Sequence, residues 1–113
     1  MHELPIVMSI LSMAIGEAKR VQKSKITKID LCIGGLSGIV PECVQVEFDI
    51  ISRGTIAAEA GLSFNRPPSI LHCRNCNTSY SPENFHLACP NCREQKFEII
   101  SGRECKLESI EVE

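Results

Sequence analysis

The chain has no tryptophan, one tyrosine and only four phenylalanines among its 113 residues. Hydrophobic residues still make up 43%, so a core is affordable, but it must be aliphatic. The length allows one small domain, or one core with a small satellite. No apolar run reaches the roughly 18 residues needed to cross a bilayer. A cationic opening is missing as well. The chain starts Met1-His2-Glu3, and Pro5, Ser9 and Ser12 interrupt the apolar stretch behind it, unlike a signal peptide. A cytoplasmic protein is therefore expected. Excess positive charge is also absent: the net charge is −2 and the pI about 5.9. That removes a general basic surface for nucleic acid. No Ser/His/Asp set, P-loop or open zinc site is visible, so no enzyme is expected.

What the chain does have is cysteine. There are seven, an odd number. In a reducing compartment thiols serve metals or chemistry rather than disulfides. Four fall into two CxxC pairs, and Cys32, Cys43 and Cys105 stand alone.

Residues 4–22 have the spacing of an amphipathic helix, with Leu4, Val7, Met8, Leu11, Ala14, Ile15 and Ala18 on one face. Pro5 suits its first turn, and Lys19, Arg20 and Lys23 suit the negative end of its dipole. Residues 26–34 alternate as a strand, with Ile29, Leu31 and Ile33 on one side, and Gly34 and Gly35 end it. A second helix is expected from Pro41 to about Ser52, burying Val44, Phe48 and Ile51, with Gly54 as its stop. A strand over 61–66 places Leu62 and Phe64 together, before Pro67 and Pro68 mark an edge or boundary. The last strand lies within 103–112, where Leu107 and Ile110 are out of phase, which predicts a bulge.

This order predicts an α+β fold: a three-stranded sheet with two helices on one face, plus an inserted zinc-ribbon-like module. The expected boundaries are residues 1–70 and 101–113 for the α+β domain and 71–100 for the module.

The cysteine spacing is C-x2-C, twelve residues, then C-x2-C. A two-residue gap lets both thiolates of a pair face one ion. Zn2+ takes four such ligands tetrahedrally at about 2.3 Å. Asn75 and Pro90 suit the tight turns inside the pairs. Cys73, Cys76, Cys89 and Cys92 are therefore read as a structural zinc site. A closed four-thiolate shell leaves no place for catalytic water. The module is poor in apolar residues, and the ion supplies the missing stability, on the order of 10–16 kcal/mol at such sites. His72 and His86 flank the site as conceivable replacement ligands, although surface histidines are the plainer expectation.

Met1-His2-Glu3 offers a second kind of site. His2 is large, so methionine aminopeptidase should leave Met1 in place. The Met1 amine, the His2 amide nitrogen and the His2 imidazole Nδ1 then close a five-membered and a six-membered chelate ring. Glu3 supplies a further donor through its amide or carboxylate. Strong in-plane nitrogen donors favour Ni2+ or Cu2+. From spacing alone the plainer alternative is a frayed terminus, with Glu3 favouring the positive end of the helix dipole.

Several features converge on one explanation. They are Met1-His2-Glu3-Leu4, Ile33-Gly34-Gly35-Leu36-Ser37-Gly38, Pro41-Glu42, Arg53-Gly54-Thr55, the two CxxC pairs, and Ser101-Gly102-Arg103-Glu104 before a final strand. In this order, over nearly the whole chain, the sequence resembles the HypA/HybF family of hydrogenase-maturation nickel metallochaperones. The resemblance implies delivery of nickel to the large subunit of nickel–iron hydrogenase, and in some organisms to urease. It implies a HypB-type GTPase partner and urease maturation proteins as further partners. It also implies nickel binding at Met1, His2 and Glu3, with structural zinc at the four cysteines. Cys32, Cys43 and Cys105 lie outside the family pattern and are expected to be small buried hydrophobes.

Two other classes compete. One is a zinc-ribbon module that binds protein or nucleic acid without nickel transfer. In residues 71–100, however, Arg74, Arg93 and Lys96 are balanced by Glu83, Glu94 and Glu98, whereas phosphate binding needs clustered cations. The other is a rubredoxin-like iron centre, since thiolates also hold iron.

Overall fold

The computed structural model describes residues 3–82 and 86–113. Helix α1 spans Leu4–Arg20, with Pro5 in the first turn and Lys19 and Arg20 in the last. Its end is a Schellman motif. The Lys23 N–H bonds to the Ala18 carbonyl at 2.9 Å and the Gln22 N–H to the Lys19 carbonyl at 3.0 Å. Gln22 takes φ 59° to allow this. A left-handed backbone costs a residue with a Cβ on the order of 1 kcal/mol. Gln22→Gly should therefore raise the stability to urea by about 1 kcal/mol. An unchanged midpoint would mean that the turn is not strained.

The buried stripe of α1 is Val7, Ile10, Leu11, Ala14 and Ala18. This differs from the expected face: Ile10 is inside, whereas Leu4 and Met8 are 43% and 56% exposed. The small side chains of Ala14 and Ala18 are completely buried in the cluster shared with β1 and α2. Met8 is left at the flank, where it lines a groove with Ile15 and Ile51.

Strand β1 covers Ile26–Ile33, helix α2 Pro41–Ile51, and strand β2 Gly61–Asn65. The β1-α2-β2 unit is a parallel crossover in which Ile29 pairs with Leu62 and Leu31 with Phe64. A further strand, β6, covers Cys105–Val112 and pairs antiparallel with the other side of β1. The sheet order is β2-β1-β6. Ser109 faces Asp30 while Leu107 faces Leu31, so Glu108 is the extra residue of a bulge. That bulge lets Leu107 and Ile110 both pack on the core, as their phase predicts. Ile29, Leu31 and Ile33 meet the buried stripes of both helices, including Val44 and Phe48, in one aliphatic cluster.

The chain between β2 and β6 builds a second sheet, which is the inserted zinc-ribbon-like module expected from the sequence. Strands β3 (Ile70–Cys73), β4 (Ser79–Tyr80) and β5 (Phe97–Ser101) lie in the order β4-β3-β5, all antiparallel. The two sheets meet at a backbone junction. The Gly34 N–H bonds to the Glu104 carbonyl at 2.8 Å and the Leu36 N–H to the Gly102 carbonyl at 2.7 Å. Arg66 Nε donates to the Ile33 carbonyl at 2.7 Å, and Leu36 packs on the core of the second sheet. The molecule is long, 54 Å by 26 Å by 17 Å, as two joined lobes require. Among the described residues no helix is long and apolar enough to cross a membrane.

Candidate metal centres

Both cysteine pairs fold as the same knuckle. In the first, the Asn77 N–H bonds to the Cys73 carbonyl at 2.9 Å and the Cys73 N–H to the Thr78 carbonyl at 2.8 Å. In the second, the Arg93 N–H bonds to the Cys89 carbonyl at 2.7 Å and the Cys89 N–H to the Glu94 carbonyl at 2.9 Å. The residue after each pair takes a left-handed backbone, Asn77 at φ 59° and Arg93 at φ 65°. Each turn thus folds back so that both of its sulfurs point the same way.

The four sulfurs of Cys73, Cys76, Cys89 and Cys92 lie within 4.8 Å of one another. Cys73 Sγ is 3.5 Å from Cys92 Sγ, and Cys76 Sγ is 3.5 Å from Cys89 Sγ. A tetrahedral zinc shell with 2.3 Å bonds separates its sulfurs by about 3.8 Å, so the donor set fits the ion. Cys73 and Cys89 are buried, and Cys76 and Cys92 are half-buried. Among the described residues Leu71, Cys73, Tyr80 and Cys89 form the buried centre of this lobe, and two of these four are candidate ligands.

Electrostatics favour a cation here. The Thr78 hydroxyl, then the Asn91 side chain, bring the Cys76 thiol down to about 6. The Asn75 side chain, then the Glu94 N–H, lower Cys92. At Cys73 the Cys76 N–H acts to lower the thiol, but burial and the neighbouring Cys92 and Cys76 carry it up to about 11. Sulfurs this close resist ionising together unless a positive ion sits among them. Burial, then the same four sulfurs, raise Tyr80, whose hydroxyl donates to the Leu87 carbonyl at 2.6 Å.

Neither histidine joins the cluster among the described residues. His72 is on β3, next to Cys73 and so on the opposite face of the strand. Its Nδ1 is 3.2 Å from Ser79 Oγ. His86 is exposed. Arg74 is within 3.7 Å of Glu98, which leaves one cation fewer for phosphate.

Of the three residues at the chain start, Met1 and His2 lie outside the described residues. Glu3 is described, and its placement is unusual. It is the N-cap of α1 but makes no side-chain capping bond. It is 1% exposed, and its Oε1 has no hydrogen-bond partner among the described residues. A buried carboxylate without a partner is costly. The sequence offers Glu3 as a nickel donor, or as part of a frayed end that favours the helix dipole; neither reading foresees its burial. Asn75, Asn91 and Thr78 were not identified as neighbours of the sulfurs, although the repeated Cys-x-Asn-Cys was visible.

Comparison with known proteins gives one result throughout. A family model described as hydrogenase/urease nickel incorporation, metallochaperone, HypA, matches residues 1–112. The hydrogenase maturation factor HypA of Dehalococcoides mccartyi is 38% identical over 113 residues, covering 100% of this chain and 95% of that one. That of Pelodictyon phaeoclathratiforme is 39% identical over 114 residues, covering 100% and 97%. The solution structure of the Ni metallochaperone HypA from Helicobacter pylori shares the fold, with a TM-score of 0.68 at 24% identity over 99% of this chain and 97% of that one.

Proposed function

The chain belongs to the HypA family of hydrogenase and urease nickel-incorporation metallochaperones, and on that premise we propose that Met1, His2 and Glu3 carry its nickel. It is a nickel metallochaperone for hydrogenase maturation with a structural zinc site. The observation that supports the nickel assignment is the Glu3 carboxylate, buried with Oε1 unpartnered among the described residues. A divalent cation beside it would offset that buried charge.

In this proposal the Met1 amine, the His2 amide nitrogen and the His2 Nδ1 hold Ni2+ in two fused rings. Glu3 adds a donor or a countercharge. The site works as a carrier, not a catalyst. A terminal chelate can be approached by an incoming ligand, so it can release what it binds. The imidazole must be neutral and the amide deprotonated, so affinity falls with acid, through the region of about pH 6.5 for an unperturbed histidine.

The proposed division is residues 1–70 and 101–113 for nickel and 71–100 for zinc, the latter held by Cys73, Cys76, Cys89 and Cys92. The proposed partners are a HypB-type GTPase, the large subunit of nickel–iron hydrogenase and, in urease-bearing cells, urease maturation proteins. The proposed location is the cytoplasm, where thiols stay reduced.

His2→Gln, which is still large enough to keep Met1 in place, tests the chelate. Nickel affinity at neutral pH should fall roughly 100-fold, about 2.7 kcal/mol, while the zinc content and the circular dichroism stay unchanged. Nickel binding equal to that of the unaltered protein would refute the assignment.

A further inference from the structure

The β2-β1-β6 sheet has two edges, and they differ. β2 is five residues long. β6 is eight, and among the described residues nothing pairs with its outer side. A long open edge offers a row of backbone donors and acceptors to another strand, which is why edges are usually short or covered. Beside this one runs a groove of about 680 Å³, between Met13 and Glu17 of α1 and Leu107 and Ile110 of β6. Met13 is 51% exposed, and Leu107 and Ile110 are half-buried.

The order of residues along β6 is self-complementary. Cys105, Leu107, Ile110 and Val112 pair with Ile33, Leu31, Ile29 and Ile26, so they share the helix-covered face. Lys106, Ser109 and Glu111 pair with Cys32, Asp30 and Lys28 and share the other face. In a regular strand Lys106 and Glu111 would point opposite ways; the bulge at Glu108 brings them to one side. A second copy of the strand, turned about a twofold axis between Glu108 and Ser109, then meets the first with like faces together. Lys106 comes opposite the partner's Glu111, Leu107 opposite the partner's Ile110, and Cys105 opposite the partner's Val112. Each contact occurs twice. Glu111 can accept a second cation. Lys28 lies 3.4 Å from Asp30 and 3.5 Å from Glu111, so two carboxylates share one ammonium, and the Glu111 side chain stays 63% exposed. Lys106 is exposed and makes no ion pair among the described residues.

We propose that β6 is the seam of a homodimer, in which two chains pair antiparallel along it into one six-stranded sheet. A strand of another protein would have to reproduce this order of charges and apolar residues, whereas a second copy has it by symmetry. The twofold reverses α1, so the two chain starts lie at opposite ends of the dimer. The inference stands on the sheet edge and does not depend on the nickel assignment.

The test uses the zinc-loaded full chain. Sedimentation velocity over the micromolar range should show a monomer–dimer equilibrium that weakens in high salt. Isotope-labelled and unlabelled chains are then mixed and coupled with a water-soluble carbodiimide, which joins an amine to a carboxylate in contact with it. Mass spectrometry should find a Lys106–Glu111 link between a labelled and an unlabelled peptide. Within one chain the strand rise holds these two residues roughly 16 Å apart, too far to couple. The Lys28–Glu111 pair, in contact within one chain, is the internal control. Lys106→Glu and Glu111→Lys each place like charges at both symmetric contacts, and each should weaken the dimer roughly tenfold, about 1.4 kcal/mol. Combined, they exchange the charges and should restore most of the affinity. A chain that stays monomeric throughout the range, a dimer without the Lys106–Glu111 link, or a double variant no tighter than the single ones would overturn the proposal.

Discussion

Stripping zinc with a chelator, or replacing Cys89 with serine, will unfold the Ile70–Ser101 sheet and leave the β2-β1-β6 sheet folded. The two lobes differ in what holds them. The aliphatic lobe has thirteen buried hydrophobic residues in one cluster, enough to persist without a metal. Among the described residues, the other has Leu71, Cys73, Tyr80 and Cys89 at its buried centre. Remove the ion and two of those four become crowded thiols with nothing to join them. A structural zinc supplies on the order of 10–16 kcal/mol, comparable to the whole stability of an ordinary domain at about 5–15 kcal/mol. Amide hydrogen exchange reads the difference. Leu71, Phe97 and Ile99 should lose protection on stripping, while Ile29 and Leu31 keep theirs. Continued protection across β3 and β5 would show that the lobe folds without its metal.

Gly34→Ala is expected to destabilise the protein by about 3 kcal/mol. A Cβ at this position would stand 2.1 Å from the Gly102 carbonyl oxygen and 2.3 Å from its carbon. Both are backbone atoms, so no rotamer change relieves the clash. One chain must move, and the bonds from Gly34 to Glu104 and from Leu36 to Gly102 go with it. Leu36 would then leave the zinc lobe's core. Gly16→Ala provides the contrast. Gly16 is inside α1 with nothing within 4 Å of an added Cβ, so alanine should stabilise by about 1 kcal/mol. Urea midpoints for the two variants should move in opposite directions. A Gly34→Ala midpoint close to that of the unaltered protein would mean that the junction is not tightly packed.

Local pattern carried most of the aliphatic lobe. Pro5 and Pro41 open the helices at the expected places, and the phase break between Leu107 and Ile110 located a bulge before any pairing was known. The burial phase of α1 was harder. Met8 and Ile10 are equally apolar in pattern, and only the way α1 packs in the folded cluster decides between them. The individual strands of the zinc-ribbon-like module were not legible because β3 and β4 are only four and two residues long. Alternation over so few positions carries little signal, and the cysteines there serve the metal rather than the period. The four zinc ligands were legible from spacing. Their neighbour Thr78 was not, because nothing in the spacing shows that its Oγ1 comes within 3.2 Å of Cys76 Sγ. Likewise, no periodicity shows that Glu3 is buried; that follows from where α1 docks.

The decisive measurement compares the chain with its natural start against one carrying two extra residues before Met1. Both are titrated with Ni2+ at neutral pH while zinc is counted on the same samples. Displacing the terminal amine from His2 should abolish tight nickel uptake and leave one zinc per chain in each sample. Equal nickel uptake by both chains, or nickel gained only as zinc is lost, would contradict a terminal carrier site separate from the thiolate centre.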